Sequence, residues 1–231
     1  SRRQRQMCIR DSGFLGQDDG KSLPILVIKD RRTKRVAATF LEAKGNTGYG
    51  LKFFQNFLSS TGYKRILNKS DGEPAMVSLK TKAVADAGIE GIPQESPVGD
   101  HQANGETEAA VRDLKRQTRV LKIALESKLG FQLKDDDPVL AWMPRHAGDL
   151  INRYRRGEDG KTPEKRRTGK EWRKPAIDYG ERILFREAAA AGLKNSFEAV
   201  MQEGRYIGRR GRTGALLCIT PEGVKRGKSC L

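Results

Sequence analysis

Residues 25–28, Ile-Leu-Val-Ile, form an unbroken apolar run after a Gly-Lys-Ser-Leu-Pro turn, and residues 36–41 form a second after the charged stretch Asp-Arg-Arg-Thr-Lys-Arg. Short apolar runs bounded by turn residues mark buried strands, so the pair predicts a β-hairpin. The period then changes. Leu51, Phe54, Phe57 and Leu58 recur at steps of three and four, which predicts an amphipathic helix ending near Gly62. Residues 64–68 read as a short strand with Asp71 just beyond its end, residues 77–87 as a second helix, and residues 89–93 as a return toward the sheet. A long helix is predicted over 108–129, its apolar side formed by Val111, Leu114, Leu121 and Leu125. Residues 139–154 repeat that pattern through Met143, Ala147, Leu150 and Tyr154. Strands alternating with helices in this way predict an α/β domain.

The pattern breaks after that helix. Residues 145–174 carry eleven Lys and Arg against five Asp and Glu, and Gly157, Gly160 and Pro163 interrupt the helical signal, so this stretch reads as a linker or a surface-hugging arm. Beyond it, residues 182–185, 205–207 and 216–220 read as short strands between Gly-rich turns, as in a small β-barrel. The alanines at 188–191 read as a loop or short helix, and no internal repeat is present.

Charge narrows the partners. Lys and Arg number 45 against 29 Asp and Glu, a net charge of +16 on 231 residues. A surplus of this size favours a polyanion, above all nucleic acid, because cationic side chains release the counterions condensed on phosphates. No apolar run approaches the roughly 20 residues needed to span a bilayer, which sets a membrane partner aside. Cys8, Cys218 and Cys230 are too few and scattered for a disulfide framework, and with only His101 and His146 beside them no His/Cys zinc site can be written.

The most informative stretch is residues 96–117, SPVGDHQANGETEAAVRDLKRQ, a Gly- and Asn-containing loop leading into a helix that opens with acids. Glu108, Arg112, Lys115, Arg119 and Lys122 follow one another at steps of four and three, so one carboxylate heads a stripe of four cations. Two-metal phosphoryl transfer needs carboxylates projecting from different elements into one pocket, because Mg²⁺ takes oxygen ligands and two neighbouring ions need anionic bridging. Asp11 before the hairpin, Asp71 after the 64–68 strand and Glu108 at the head of the basic stripe meet that demand.

These surroundings resemble the integrase catalytic core of retroelements, most closely that of copia-type long-terminal-repeat retrotransposon Pol polyproteins. The likeness covers nearly the whole chain: Asp11 followed by PILVIKDRRTKRVAATFLEAK, the SDGEPA turn with Asp71, the loop and helix with Glu108, the NRYRRGEDGKTPEKRRTGK segment, and the tail from YGERILFR to EGVKRGKS. The resemblance implies an RNase H-like core, a mixed five-stranded sheet flanked by helices, followed by a small β-barrel-like C-terminal domain. It implies an Asp11, Asp71 and Glu108 triad holding two Mg²⁺ or Mn²⁺ ions, DNA strand transfer by a 3′ hydroxyl, nuclear action on element ends and target DNA, and a homo-oligomer. Arg112 and Lys115 match basic residues that the family places against DNA. Arg119 and Lys122 extend that stripe, and Arg205, Arg209, Arg210 and Arg212 give the tail a second set of candidate phosphate contacts. The family's His/His/Cys/Cys zinc domain does not precede the core, which implies a piece of a longer polyprotein.

The expected division is a leader at 1–12, the catalytic core at 13–156, a basic linker at 157–180 and a β-rich DNA-binding tail at 181–231. Residues 7–12, MCIRDS, match translated sequencing-adapter DNA, so the leader is expected to be foreign to the fold. Each feature has a plainer reading as well. A basic helix face is ordinarily solvated, Asp71 before Gly72 is an ordinary turn pair, and Glu108 or its neighbour Glu106 complements a helix dipole. Glu106 is also the second choice for the third ligand. Asp18, Asp19 and Asp30 read as turn acids, His146 as helix surface or core, and Trp142 and Trp172 as packing residues. Two other function classes fit the composition: a non-enzymatic nucleic-acid-binding protein, including an inactive integrase relic, and a nuclease of the RNase H-like fold.

Overall fold

The computed structural model describes residues 6–12, 24–41, 48–70, 73–95, 101–134, 137–174, 176–187, 200–210 and 213–230, excepting the side chains of 6, 8–12, 68–70, 93–95 and 101–104. Asp71, Arg212, the loop acids Asp18 and Asp19 and the 188–191 alanine run lie outside the described residues.

The hairpin forms as predicted, from β2 (Ile25–Asp30) and β3 (Val36–Phe40). Asp30 sets its turn: the buried carboxylate accepts from the backbone N–H of Arg32 and Thr33 and from the hydroxyls of Thr33 and Tyr63. With β1 (Gln6–Ser12), β4 (Arg65–Ser70) and β5 (Glu90–Glu95), the hairpin makes a mixed sheet in the order β3-β2-β1-β4-β5. Residues 6–12, set apart above as a leader, supply its middle strand, antiparallel to β2 and parallel to β4.

Both faces of the sheet are covered, which explains the unbroken apolar run in β2. Leu26 and Ile28 pack with Met7 under α1 (Gly48–Thr61) and α2 (Pro74–Asp86), against Phe54, Phe57, Leu58, Met76 and Leu79. Ile25 and Val27 face the other way, toward Val111 and Leu114 of α3 (His101–Leu129) and Ala147 of α4 (Met143–Tyr154). On α3 Val111, Leu114 and Leu125 of the predicted apolar side are buried and Leu121 is partly buried, and Thr118 fills the missing rung by returning its hydroxyl to the Leu114 carbonyl at 2.9 Å. The helix begins at His101 rather than Glu108. Gly105 costs it only about 1 kcal/mol, a small penalty in a helix of this length once nucleated.

The face of α4 departs from the predicted one. Tyr154 is exposed, while His146, Asn152 and Arg153 are buried. Asn152 explains its own burial: its side-chain amide accepts from the Val36 N–H at 2.9 Å and donates to the Val36 carbonyl at 2.7 Å, pairing the outer edge of β3 as another strand would. The arm contains a helix, α5 (Pro163–Thr168), where breakers were read. Thr162 caps it by accepting from the Lys165 N–H, Pro163 takes the first turn where its missing N–H costs nothing, and Gly169 ends it in a left-handed conformation.

The tail is a closed barrel of four strands, β6 (Arg182–Glu187), β7 (Met201–Arg209), β8 (Leu216–Thr220) and β9 (Gly223–Cys230), joined in ring order. Phe185 fills its centre with Ile183, Tyr206, Leu216 and Cys218. So small a barrel closes around a phenyl ring only because Gly204 and Gly227 flank it: a Cβ on either would come within 2.7 and 3.0 Å of that ring. The barrel is not a free appendage. Ile207, Leu217 and Ile219 leave its outer wall to pack on Leu121, Leu125, Leu129, Leu140 and Met143 from α3, α4 and the turn before it.

Candidate functional site

Two of the elements carrying candidate acids end together, whereas the start of α3 is tied to the β2–β3 turn, which adjoins the opposite end of β1. In the parallel β1–β4 pair, Ile9 lies opposite Ser70, so both strands end on the same side. Asp11 is the penultimate residue of β1, in register with Leu26 of β2, and Asp71 follows directly on Ser70. Helix α3 crosses β1 and β2 and carries Glu108 half-buried in its second turn. Asp71 and the side chain of Asp11 lie outside the described residues, and among those described no three His, Cys, Asp or Glu side chains gather into a metal-binding group.

Glu106 has a different environment from Glu108. Its carboxylate meets Arg31 at 3.3 Å and Lys34 at 3.2 Å, and its carbonyl accepts from Lys29 at 2.9 Å, which fastens the start of α3 to the hairpin. Partial burial pushes its pKa up, but the attraction of Lys34, Arg31 and Lys29 outweighs that and holds it below the ordinary carboxylate value. A carboxylate already neutralised by cations is a poor ligand for added ones. The second choice for the third ligand is thus a clamp.

Of the predicted stripe, Arg112 and Arg119 are exposed and Lys115 and Lys122 half-buried. Lys122 lies 3.9 Å from Glu126, whereas Arg112, Lys115 and Arg119 make no ion pair among the described residues. In the tail Arg205 and Arg210 are exposed, with Arg205 donating to the Gly180 carbonyl at 3.2 Å. Arg209 differs: it is 9% exposed and donates to the Gly214 carbonyl at 3.2 Å, which ties it to the turn between β7 and β8. The cationic surface of the barrel instead includes Arg226 and Lys228 on β9, a strand without an apolar pattern to announce it.

Two buried groups were not visible as a pair in the sequence. His146 packs edge-on against Tyr206, ring centres 5.6 Å apart, and tilted against Tyr179 at 5.1 Å, where α4 meets the barrel. Burial, aided by the charge of Arg153, lowers its pKa to about 4, and its Nδ1 has no hydrogen-bond partner among the described residues. Trp172, read as packing, is stacked by the Arg153 guanidinium at 4.3 Å.

No family model matches the chain, and none of the curated proteins matches it. Solved structures do. The HTLV-2 integrase catalytic core domain in complex with magnesium, in its trimeric form, aligns with TM-score 0.53 at 13% identity over 71% of this chain and 95% of that one. Its dimeric form aligns with TM-score 0.51 at 13% identity over the same share of each. The simian T-cell lymphotropic virus intasome in complex with PP2A regulatory subunit B56 gamma aligns with TM-score 0.52 at 14% identity, over 98% of this chain and 77% of that one. The protein therefore has the fold of retroviral integrase catalytic cores, followed by a four-stranded barrel. Among the described residues no helix is long and apolar enough to cross a membrane.

Proposed function

We propose that the protein is a retroelement integrase of copia type that joins DNA 3′ ends to target DNA by metal-dependent strand transfer, with Asp11, Asp71 and Glu108 as its catalytic acids. The observation that supports this reading is the parallel pairing of β1 and β4, which ends the Asp11 and Asp71 segments on the same side of an integrase-like sheet that α3 crosses. An all-carboxylate donor set suits Mg²⁺ or Mn²⁺ and no softer metal. When bound, a pair of such ions supplies a more acidic nucleophilic hydroxyl and charge stabilisation of the leaving oxygen. The chain's own part is to hold and orient. Asp11, on the middle strand, would hold both ions, and Asp71 and Glu108 would each hold one. Arg112, Lys115, Arg119 and Lys122 carry the phosphate backbone along α3, and Arg205 and Arg210 engage DNA from the barrel. The domain division at 13–156, 157–180 and 181–231 belongs to the same proposal, with the core widened to take in β1, as do the homo-oligomer and action in the nucleus.

The test is a joining assay with purified chain, a fluorescent DNA duplex and Mg²⁺. Asp71→Asn and Glu108→Gln should each abolish joined product while DNA affinity stays within about threefold. Product formed at the parental rate by either variant would sink the assignment. The Arg112→Ala/Lys115→Ala pair should lower the slope of log K against log salt by about one unit per lost phosphate contact; an unchanged slope returns that face to ordinary solvation.

A further inference from the structure

The arm between α4 and α5 folds back on the β2–β3 hairpin and borders a half-open cavity of about 640 Å³ between the hairpin, α3 and itself. Six cations line it, Lys29, Arg32, Lys34, Arg155, Arg156 and Arg166, against the three acids Asp113, Glu158 and Asp159, and two carboxylates just behind the lining, Glu106 on Lys34 at 3.2 Å and Glu171 on Arg156 at 3.7 Å, reduce the surplus to one positive charge. Several of these cations are held in place. Arg155 meets Asp113 at 2.6 Å, Arg166 meets Asp159 at 2.5 Å and reaches the Thr33 carbonyl at 3.5 Å, and Arg156 donates to the Gly160 carbonyl at 3.1 Å. Gly157 makes this possible: a Cβ there would stand 2.3 Å from the Arg166 guanidinium, so only glycine lets that side chain lie across the turn. The Arg32 guanidinium makes no ion pair among the described residues.

We propose that this cavity binds a small, multiply phosphorylated anion. Its volume falls within the roughly 300–1,000 Å³ of small-molecule sites, and six cations, with Arg32 outside any ion pair among the described residues, offer several donors to one cluster of phosphate oxygens. Guanidinium groups fixed by neighbours suit phosphate oxygens, because little side-chain freedom is lost on binding. The site is separate from the DNA track of the preceding proposal and does not rest on it. Ala110 and Asp113 line the cavity from one side of α3, while Glu108, Arg112, Lys115 and Arg119 occupy the other.

Titration calorimetry of the full chain with sodium tripolyphosphate at low salt tests the site. The expected result is saturable binding of one anion per chain, weakened about tenfold or more in the Arg32→Ala/Arg156→Ala double variant and changed less than about twofold in an Arg112→Ala/Arg119→Ala control. Both pairs are exposed, so folding is checked by an unchanged melting temperature. Failure to saturate, or equal weakening in the control, would show only diffuse attraction to a cationic surface and overturn the proposal. A short DNA duplex that loses affinity in the Arg32/Arg156 variant, with no tripolyphosphate binding to the parent, would overturn it too and make the cavity a backbone contact.

Discussion

Strand β2 lies in an open sheet and β8 in a closed barrel, yet both are runs of four consecutive apolar residues, Ile-Leu-Val-Ile and Leu-Leu-Cys-Ile. Each has two covered faces. In β2, Leu26 and Ile28 face one helical layer and Ile25 and Val27 the other. In β8, Leu216 and Cys218 point into the barrel while Leu217 and Ile219 meet α3 and α4. Strand β6 supplies the contrast: Arg182, Leu184 and Arg186 are exposed and alternate with buried Ile183 and Phe185, because no described residue covers its outer face. A continuous apolar run in a barrel strand thus reports a second neighbour outside the barrel. The tail is joined to the core by a shared apolar interface.

The strongest way to break this equivalence is to remove the barrel. A chain ending after residue 180 would expose Leu121, Leu125, Leu129, Leu140 and Met143 at once. Burial of a large apolar side chain contributes roughly 1.5–3 kcal/mol, so losing this interface removes a large part of the roughly 5–15 kcal/mol that holds a domain folded. The truncated chain should aggregate or lose its cooperative thermal transition. If calorimetry shows it melting within a few degrees of the parent, the barrel is the separable tail that the sequence alone led us to expect.

His146 sharpens the comparison from inside the same interface. It is buried neutral, with a folded pKa of about 4, while the unfolded chain takes up its proton near pH 6.5. A depressed folded pKa means the unfolded state binds the extra proton between these values, so His146's contribution is complete above about pH 6.5 and lost as pH falls toward 4. The expected loss is about 3 kcal/mol. His146→Leu should flatten that part of the profile, measured as the difference between urea midpoints at pH 7 and pH 4.5. A variant as acid-sensitive as the parent would place the cause among the carboxylates.

The sheet side has its own weak edge at β3. Asn152→Ala would remove both bonds to the Val36 backbone and leave a buried donor and acceptor unpaired, at a cost of about 2 kcal/mol. Urea denaturation should show a lower midpoint with an unchanged slope. A loss below about 0.5 kcal/mol would mean that water pairs this edge as well as the amide does.

What was legible follows from these contacts. The hairpin, α1, the apolar side of α3 and the existence of a small barrel stood out because each buries a periodic or continuous apolar set. Asn152, His146 and Arg153 did not: they are buried through particular partners, the Val36 backbone, two tyrosine rings and Trp172, which no local pattern encodes. Strand β9 escaped because its one buried position is Gly227, whose value lies in having no side chain beside Phe185. Pro163 was read as a breaker because its apolar context was sought inside the helix, whereas Thr162 before it is what makes it a start. Among the candidate site residues, Arg209 is hidden for a related reason: beside Arg205 and Arg210 it reads as one more surface cation, but it is buried and donates to the Gly214 carbonyl.

The smallest expected effect concerns the ionic contact at this junction. Lys128, at the end of α3, meets Asp178 just before the barrel at 2.5 Å, and both side chains are largely exposed. Exposed pairs contribute about 0–1 kcal/mol because water screens the attraction and ordering two long side chains costs entropy. The coupling from a double-mutant cycle with Lys128→Ala and Asp178→Ala should therefore stay below about 0.5 kcal/mol. Salt is a poorer probe here, since screening a net charge of +16 relieves repulsion across the whole chain and would mask so small a loss. A coupling above about 1.5 kcal/mol would show that charge fastens the barrel to α3, and the likeness between β2 and β8 would then account for only part of how the two regions are joined.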